Sequence, residues 1–564
     1  MRTRTRYSYL PDSTTHELFG LDIRYIAQFL LLSALFLLVS ASAPSLDFYL
    51  WNIDVTVHSI HGHQVLHGKF PFVDVYFRSG PLATLIPALG FLVSPTLVPQ
   101  ALICSFGYAL SIFLISILVF RLSPLSVYGK TVIAFIALLC AYLVLAKFYK
   151  WYYWLFPLLV LVTGLQYFQT RNIKWIGLMG LASGTAWLFR IDLGVACMAA
   201  SVATHLIVAL SSKAFYDLKI QSMLLLGGFA LPIGIWLVVL GVLGGFANIG
   251  LYFVSYFDAV VGTLTLMALP YPQFTLASPF SEESCHFLAL LLVPSTYVFG
   301  LWVAWTGMRK QDDTSKWLYP MLALVAFMGI ALLPQALHRK SIHHIAQIIP
   351  PFLVIVPVLL PLLWKGKMFS RPASRNQLAV SRLLVFCFVL LFAQISLGVK
   401  HYFAIEYESP GLSSFSRYVD LAQGASAGSR QYNIAEIAHT IQKLSGPDDS
   451  ILIVPHSAKH IYYWADRRMS GMTTIYTGFY SQPRWKDKIL HSVEQDPPRL
   501  IVVDESYFTS SDENLFKTYY PELYEYISTT YTKKAYTIGR YTLMVPGHPD
   551  IDILPIDTSP EEAF

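Results

Sequence analysis

Between residues 25 and 400 the sequence is a succession of apolar runs, most of them close to 20 residues long. A hydrocarbon layer about 30 Å thick needs about 20 apolar residues per crossing helix, and it offers the backbone no hydrogen-bond partner except the helix itself. Such runs fall at 25–43, 98–120, 128–147, 151–169, 174–190, 193–211, 220–244, 286–306, 316–335, 343–364 and 382–400, which predicts about eleven spans. The run 81–97 is shorter, begins with Pro81 and contains Gly90 and Pro95, so it is expected to enter the membrane and return.

Composition agrees: 55% hydrophobic and 13% charged residues, with a mean hydropathy of +0.52, exclude both a soluble globular chain and a disordered one. The charge is unevenly spread. Residues 401–564 hold 14 Lys+Arg against 21 Asp+Glu, leaving 26 and 13 for residues 1–400. The basic residues of the front part stand singly between apolar runs and build no continuous face, so nucleic acid is not an expected partner. Five cysteines, all in or beside apolar runs, provide neither a disulfide framework nor a Cys-type zinc site. The first run follows a polar, arginine-bearing segment and lacks a small-residue cleavage site, so it reads as a retained anchor.

Lys and Arg concentrate in cytoplasmic loops. With 81–97 not crossing, 18 of the 26 front-part basic residues fall inside, against 10 if it crosses. The first parity puts the N-terminus in the cytoplasm. Loop 44–80, the Arg190/Asp192 turn, loop 247–285, the Arg339 region and the tail then lie on the extracytoplasmic face of a multi-pass plasma (inner) membrane protein.

The expected domains are a cytoplasmic segment 1–24, a transmembrane domain 25–400 with external loop 44–80, a linker 401–430 and a soluble α/β domain 431–564. In the tail, helical spacing over 434–444 ends at Gly446-Pro447, and apolar runs at 450–454 and 500–503 read as strands. Helices are expected at 458–468, 485–494 and 515–531, with closing strands in 535–545. No glycine-rich nucleotide loop is present, and the domain reads as a cover or recognition module.

Loop 44–80 holds the densest polar cluster of the front part. Its pattern from Asp54 to His67 suits an interfacial amphipathic helix, on which Asp54, His58 and His61 share one face. A carboxylate with two imidazoles is a metal-type donor set; alternatively the histidines decorate the polar side of the helix. Asp54 and Asp74, at the lip of an apolar bundle, are candidates for acid–base work. Arg190 and Asp192 sit between two spans, where charges are expensive and therefore either paired or functional. The stretch His338-Arg339-Lys340-Ser341-Ile342-His343-His344 is a cationic turn with the donors that suit a phosphate. Tyr252, Tyr256, Asp258, Tyr271, Glu282 and Glu283 of loop 247–285 could line an acceptor path and receive no assigned role.

The run Asp54, Gly68, Pro71-Phe72, Asp74, Gly80-Pro81-Leu82 resembles the first external loop of GT-C-type integral membrane glycosyltransferases, including the protein mannosyltransferase and aminoarabinose transferase group. Arg190-x-Asp192-x-Gly194, Arg339 followed by His344, and a polar α/β tail are similar to features of bacterial members. The resemblance implies a polytopic helical GT-C-like fold and transfer of a sugar from a polyprenyl-phosphate donor to a glycan, lipid or protein acceptor of the cell envelope. It implies Asp54 as general base and Asp74 as a second acid. Arg190, Arg339, Lys340 and His344 would bind substrate at the lipid phosphate, with Asp192 orienting Arg190 or a sugar hydroxyl. Ser341 stands where related members often carry Asp. No DxD-type triplet follows the first span, which favours a metal-free mechanism, although divalent metals serve some relatives. A rival reading is a transporter or flippase of a lipid-linked sugar; it is weakened by the absence of an internal repeat or matched broken helices.

Overall fold

The computed structural model describes residues 17–18, 21–42, 53–76, 79–144, 150–212, 215–266, 271–309, 315–337, 342–364, 375–406, 429–454, 461–473, 483–505 and 516–547. The front part is helical: α1 (Ile23–Ser42), α2 (Ile53–Leu66), α3 (Leu82–Val93), α4 (Val98–Leu122), α5 (Val127–Leu143), α6 (Tyr152–Thr170), α7 (Lys174–Phe189), α8 (Ile191–Ser212), α9 (Phe215–Gly244), α10 (Phe246–Leu266), α11 (Glu282–Met308), α12 (Ser315–Leu337), α13 (Ile342–Ile348), α14 (Pro350–Trp364) and α15 (Arg375–Glu406). Among the described residues, each of the eleven apolar runs is mostly helical. Among the described residues, five helices, namely α4, α8, α9, α11 and α12, carry a stretch long and apolar enough to cross a membrane by length and composition alone. The 12 residues of α3 reach only about 18 Å at 1.5 Å per residue, too short to cross.

Three expectations change. The run 343–364 is broken into α13 and α14, because Pro350-Pro351 supplies no amide hydrogens to continue the first helix. Much of loop 247–285 is the 21-residue helix α10. The last span continues as helix to Glu406, into the expected linker.

The outer face of α9 is apolar and open: Leu231, Ile235, Val238 and Val242 are all more than half exposed. A continuous apolar face of this kind is costly in water and matched by lipid. Its opposite face meets α7 closely. A Cβ on Gly180 would strike the Leu225 carbonyl oxygen, and one on Gly184 that of Phe229. Small residues let helix backbones approach where lipid gives apolar contacts no advantage, and this packing fixes α7, whose end bears Arg190.

In the tail, α16 (Ser429–Leu444), β1 (Ser450–Val454), α17 (Ile461–Trp464), β2 (Arg468–Met469), α18 (Pro483–Gln495), β3 (Leu500–Asp504), α19 (Phe516–Tyr519), α20 (Pro521–Thr530), β4 (Lys533–Ile538) and β5 (Tyr541–Val545) form an α/β arrangement. The sheet order is β2-β1-β3-β5-β4, parallel across β2-β1-β3 and antiparallel across β3-β5-β4. All five residues of β1 and of β3 are buried, as expected for parallel strands covered on both faces. Ile437 and Ile441 of α16, Trp485 and Ile489 of α18, and Leu523 and Ile527 of α20 complete this core. The expected helix 458–468 is only α17 followed by β2; residues 455–460 lie outside the described residues. The expected helix 515–531 is cut at Pro521, where proline fits a first helical position but not an interior one.

Candidate functional site

Helix α2 lies over α3. Between them, α4 and the aromatic ends of α6 and α7 is a narrow cleft, lined among others by His58, Ser59, Ile86, Gln100, Tyr152 and Phe189. The Phe189 and Tyr152 rings stack at 4.9 Å and Trp151 meets Phe189 edge-on at 5.3 Å, giving the cleft a rigid aromatic wall. Gly80 closes it at the chain level: its amide donates to the Phe189 carbonyl at 2.7 Å, and a Cβ there would collide with the Leu188 carbonyl. Gly80→Ala is therefore expected to destabilise the protein by about 1–3 kcal/mol, the usual range for overpacking. An unchanged thermal unfolding midpoint of the purified variant would show that the loop yields instead.

One residue beyond Phe189, the chain leaves α7 with Arg190 extended and re-enters a helix carrying Asp192. Arg190 Nε donates to Asp192 Oδ1 at 2.9 Å and Nη2 to Oδ2 at 3.1 Å. The Tyr256 hydroxyl donates to the same Oδ1 at 2.6 Å and accepts the Asp192 amide at 3.0 Å. On Oδ2 the carboxylate also accepts from the Tyr153 hydroxyl at 3.4 Å and from Gln335 Nε2. These donors come from α6, the α7–α8 junction, α10 and α12. A carboxylate has about four lone-pair sites, so Asp192 is occupied by protein donors, and such full satisfaction is what makes a partly buried ion pair tolerable. Its side chain and that of Arg190 are 21% and 15% exposed. The pair holds a guanidinium in one orientation, and Nη1 has no partner among the described residues.

A second cation stands beside it. Lys150 is buried, with Nζ 6.0 Å from the Tyr153 ring centre, and Arg190 lies 5.9 Å from the same ring. Lys150 Nζ also donates to Gln347 Oε1 at 3.4 Å, and Trp154 Nε1 donates to the Ala346 carbonyl at 3.0 Å. Both acceptors are on α13, which brings buried His344 to this end of the bundle. Sequence reasoning missed Lys150, Tyr153 and Gln335. The only signal was a lysine directly before an aromatic span and polar groups inside apolar runs. Tyr256, noted for an acceptor path, instead orients Asp192. Arg339 and Lys340 lie outside the described residues.

Asp54 is in the first turn of α2, one turn before His58; its side chain lies outside the described residues. Asp74 is committed to its own loop, its Oδ2 accepting the Phe70 amide at 2.7 Å. The same turn holds Phe72 in a left-handed conformation, φ 61°. The Phe72 ring is wholly buried and packs edge-on to Tyr252 at 4.7 Å, which offsets that strain.

The histidines of α2 do not decorate a polar face: His58, His61 and His63 are buried, His58 against α3, α4 and the aromatic ends of α6 and α7, and His63 against Phe91 of α3 and Tyr463 and Asp466 of the tail. Gln64 accepts the Met469 amide at 2.7 Å and donates to the Arg467 carbonyl at 3.0 Å, reading the backbone of β2. Lys69 pairs with Asp496 at 3.1 Å, and the Tyr76 amide donates to the Met472 carbonyl at 2.9 Å. On α10, buried Asp258 takes Trp485 Nε1 at 2.7 Å and is paired with Arg484. Among the described residues, the grouping with metal-type donors is His63, His67 and Asp466; the expected set of Asp54, His58 and His61 includes a side chain outside those residues. The hydrogen bond from His63 holds the Asp466 carboxyl down to about 2. Burial, followed by the neighbouring His63, pushes His67 below the usual imidazole value.

No family model matches the chain, and no curated protein does. Among solved structures it is similar to the archaeal oligosaccharyltransferase AglB from Archaeoglobus fulgidus, in complex with an inhibitory peptide and a dolichol-phosphate. The identity is 12% and the TM-score 0.44, over 95% of this chain and 75% of that chain.

Proposed function

We propose that this protein is a membrane glycosyltransferase of GT-C type, moving a sugar from a polyprenyl-phosphate donor to an extracytoplasmic acceptor. The observation that carries the reading is the Arg190 guanidinium, clamped by Asp192 and its three further donors beside a buried lysine, at the edge of an apolar cleft. A lipid phosphate brings an anionic head on an apolar tail. Fixed cations at the end of an apolar cleft match both parts, and fixed N–H donors stabilise the charge that develops on a departing phosphate.

In this reading Asp54 takes the proton of the acceptor hydroxyl. The oxygen attacks the anomeric carbon, the bond from that carbon to the phosphate oxygen breaks, and the electron pair leaves on the phosphate, which Arg190, Lys150 and His344 receive together with Arg339 and Lys340. A single displacement inverts the anomeric carbon. Asp74 shapes the loop that carries Asp54, and the active face and tail are extracytoplasmic. The test is transfer of radiolabelled sugar from polyprenyl-phosphate monosaccharides in membranes containing the protein. The expected product carries the inverted linkage. Retention of configuration would overturn the single displacement, and no transfer from any common lipid-linked sugar would overturn the enzyme in favour of a flippase.

A further inference from the structure

We propose that His63, His67 and Asp466 form a divalent transition-metal site, zinc by its donors, that staples the tail to helix α2. Nε2 of His63 and Nε2 of His67 stand 3.0 and 3.1 Å from the same carboxylate oxygen, Asp466 Oδ1, and the donor atoms of all three lie within 4.8 Å of one another. Around a tetrahedral ion with bonds of about 2.0–2.1 Å, neighbouring ligand atoms sit about 3.3 Å apart. An ion therefore enters by displacing the imidazole protons that now point at the carboxylate, with side-chain adjustment to bring the donors to that spacing. His63 in the last turn of α2 and His67 in the turn directly after it keep the spacing of four residues that makes two histidines a ready zinc pair.

The rings are also held. His63 is wedged edge-on against Phe91 and Tyr463, each at 5.6 Å, two rings that pack against one another at 5.4 Å, and it meets His67 at 4.7 Å. Asp466 is turned toward them by a left-handed backbone, φ 49°. Arg468, the nearby cation that would oppose an ion, is paired with Asp496 at 2.9 Å. The Asp466 side chain is 68% exposed, which leaves a solvent position for a fourth ligand. The site is separate from the Arg190 cleft, and its test does not depend on sugar transfer.

Full-length protein, purified in detergent, stripped with chelator and dialysed, is titrated with zinc by calorimetry. One equivalent per chain is expected to bind. His67→Gln and Asp466→Asn, both at partly exposed positions, are each expected to weaken it by at least about tenfold, while exposed His491→Ala leaves it unchanged. X-ray absorption at the zinc edge of the wild type should show nitrogen and oxygen ligands only. No stoichiometric binding, sulfur ligation, or binding that survives both substitutions overturns the site. If either variant fails to fold, the absorption spectrum and the other variant decide.

Discussion

Asp54→Asn protein, present in membranes at the wild-type level, is expected to bind polyprenyl-phosphate sugar normally and to transfer it about 10²–10⁴-fold more slowly, the range a positioned general base contributes. The amide keeps the size and polarity of the carboxylate and loses only the ability to accept the proton of the acceptor hydroxyl. Asp54 stands in the first turn of α2, and the next turn of that helix carries His58 into the cleft wall. The effect is thus expected in kcat with little change in donor affinity. Equal transfer by variant and wild type would remove Asp54 from the chemistry. A flippase needing only a polar group at this point would likewise tolerate asparagine.

Arg190→Lys is expected to cost about 10²–10³-fold in transfer, comparable with removal of one fixed donor from a developing anion. Lysine keeps the charge but not the planar fork. It cannot donate to both oxygens of Asp192 at 2.9 and 3.1 Å and still present a donor to a phosphate in a set direction. Asp192→Asn should cost activity and stability together, because it leaves a guanidinium that is only 15% exposed without its counter-charge. Breaking such a pair costs about 3 kcal/mol or more, readable as a lowered unfolding midpoint. The two effects separate the roles: Arg190→Lys with unimpaired transfer would show that the pair serves packing alone.

What could be read from sequence followed the range of the interactions. The apolar runs and the strands Ser450–Val454 and Leu500–Asp504 were legible because their signal lies within a few residues. Helix α10 was not, since Asn248, Ser255 and Asp258 interrupt its apolar pattern, and the buried Asp258 is explained only by Arg484 and Trp485 at the start of α18. The break at Pro521 was written in the sequence and overlooked in favour of a longer helical pattern. Arg190 and Asp192 were visible as charges in an apolar setting, yet the donors that fix them come from residues 39, 64 and 143 positions away from Asp192. Lys150 carried only its place directly before an aromatic span, and the role of His63 and His67 changed once a remote acidic residue met them.

That last meeting sets a timetable for synthesis. His67 and Asp466 are 399 positions apart, and a ribosome adding roughly 5–20 residues per second needs on the order of 20–80 seconds to pass from one to the other. For that interval α2, with its buried histidines and Gln64, has no tail to cover it. The nascent loop must wait in a partly assembled bundle while the later helices insert. Chain release and tail folding then become the events that finish the first loop, so a chain truncated before residue 460 is expected to leave this end of α2 open to protease.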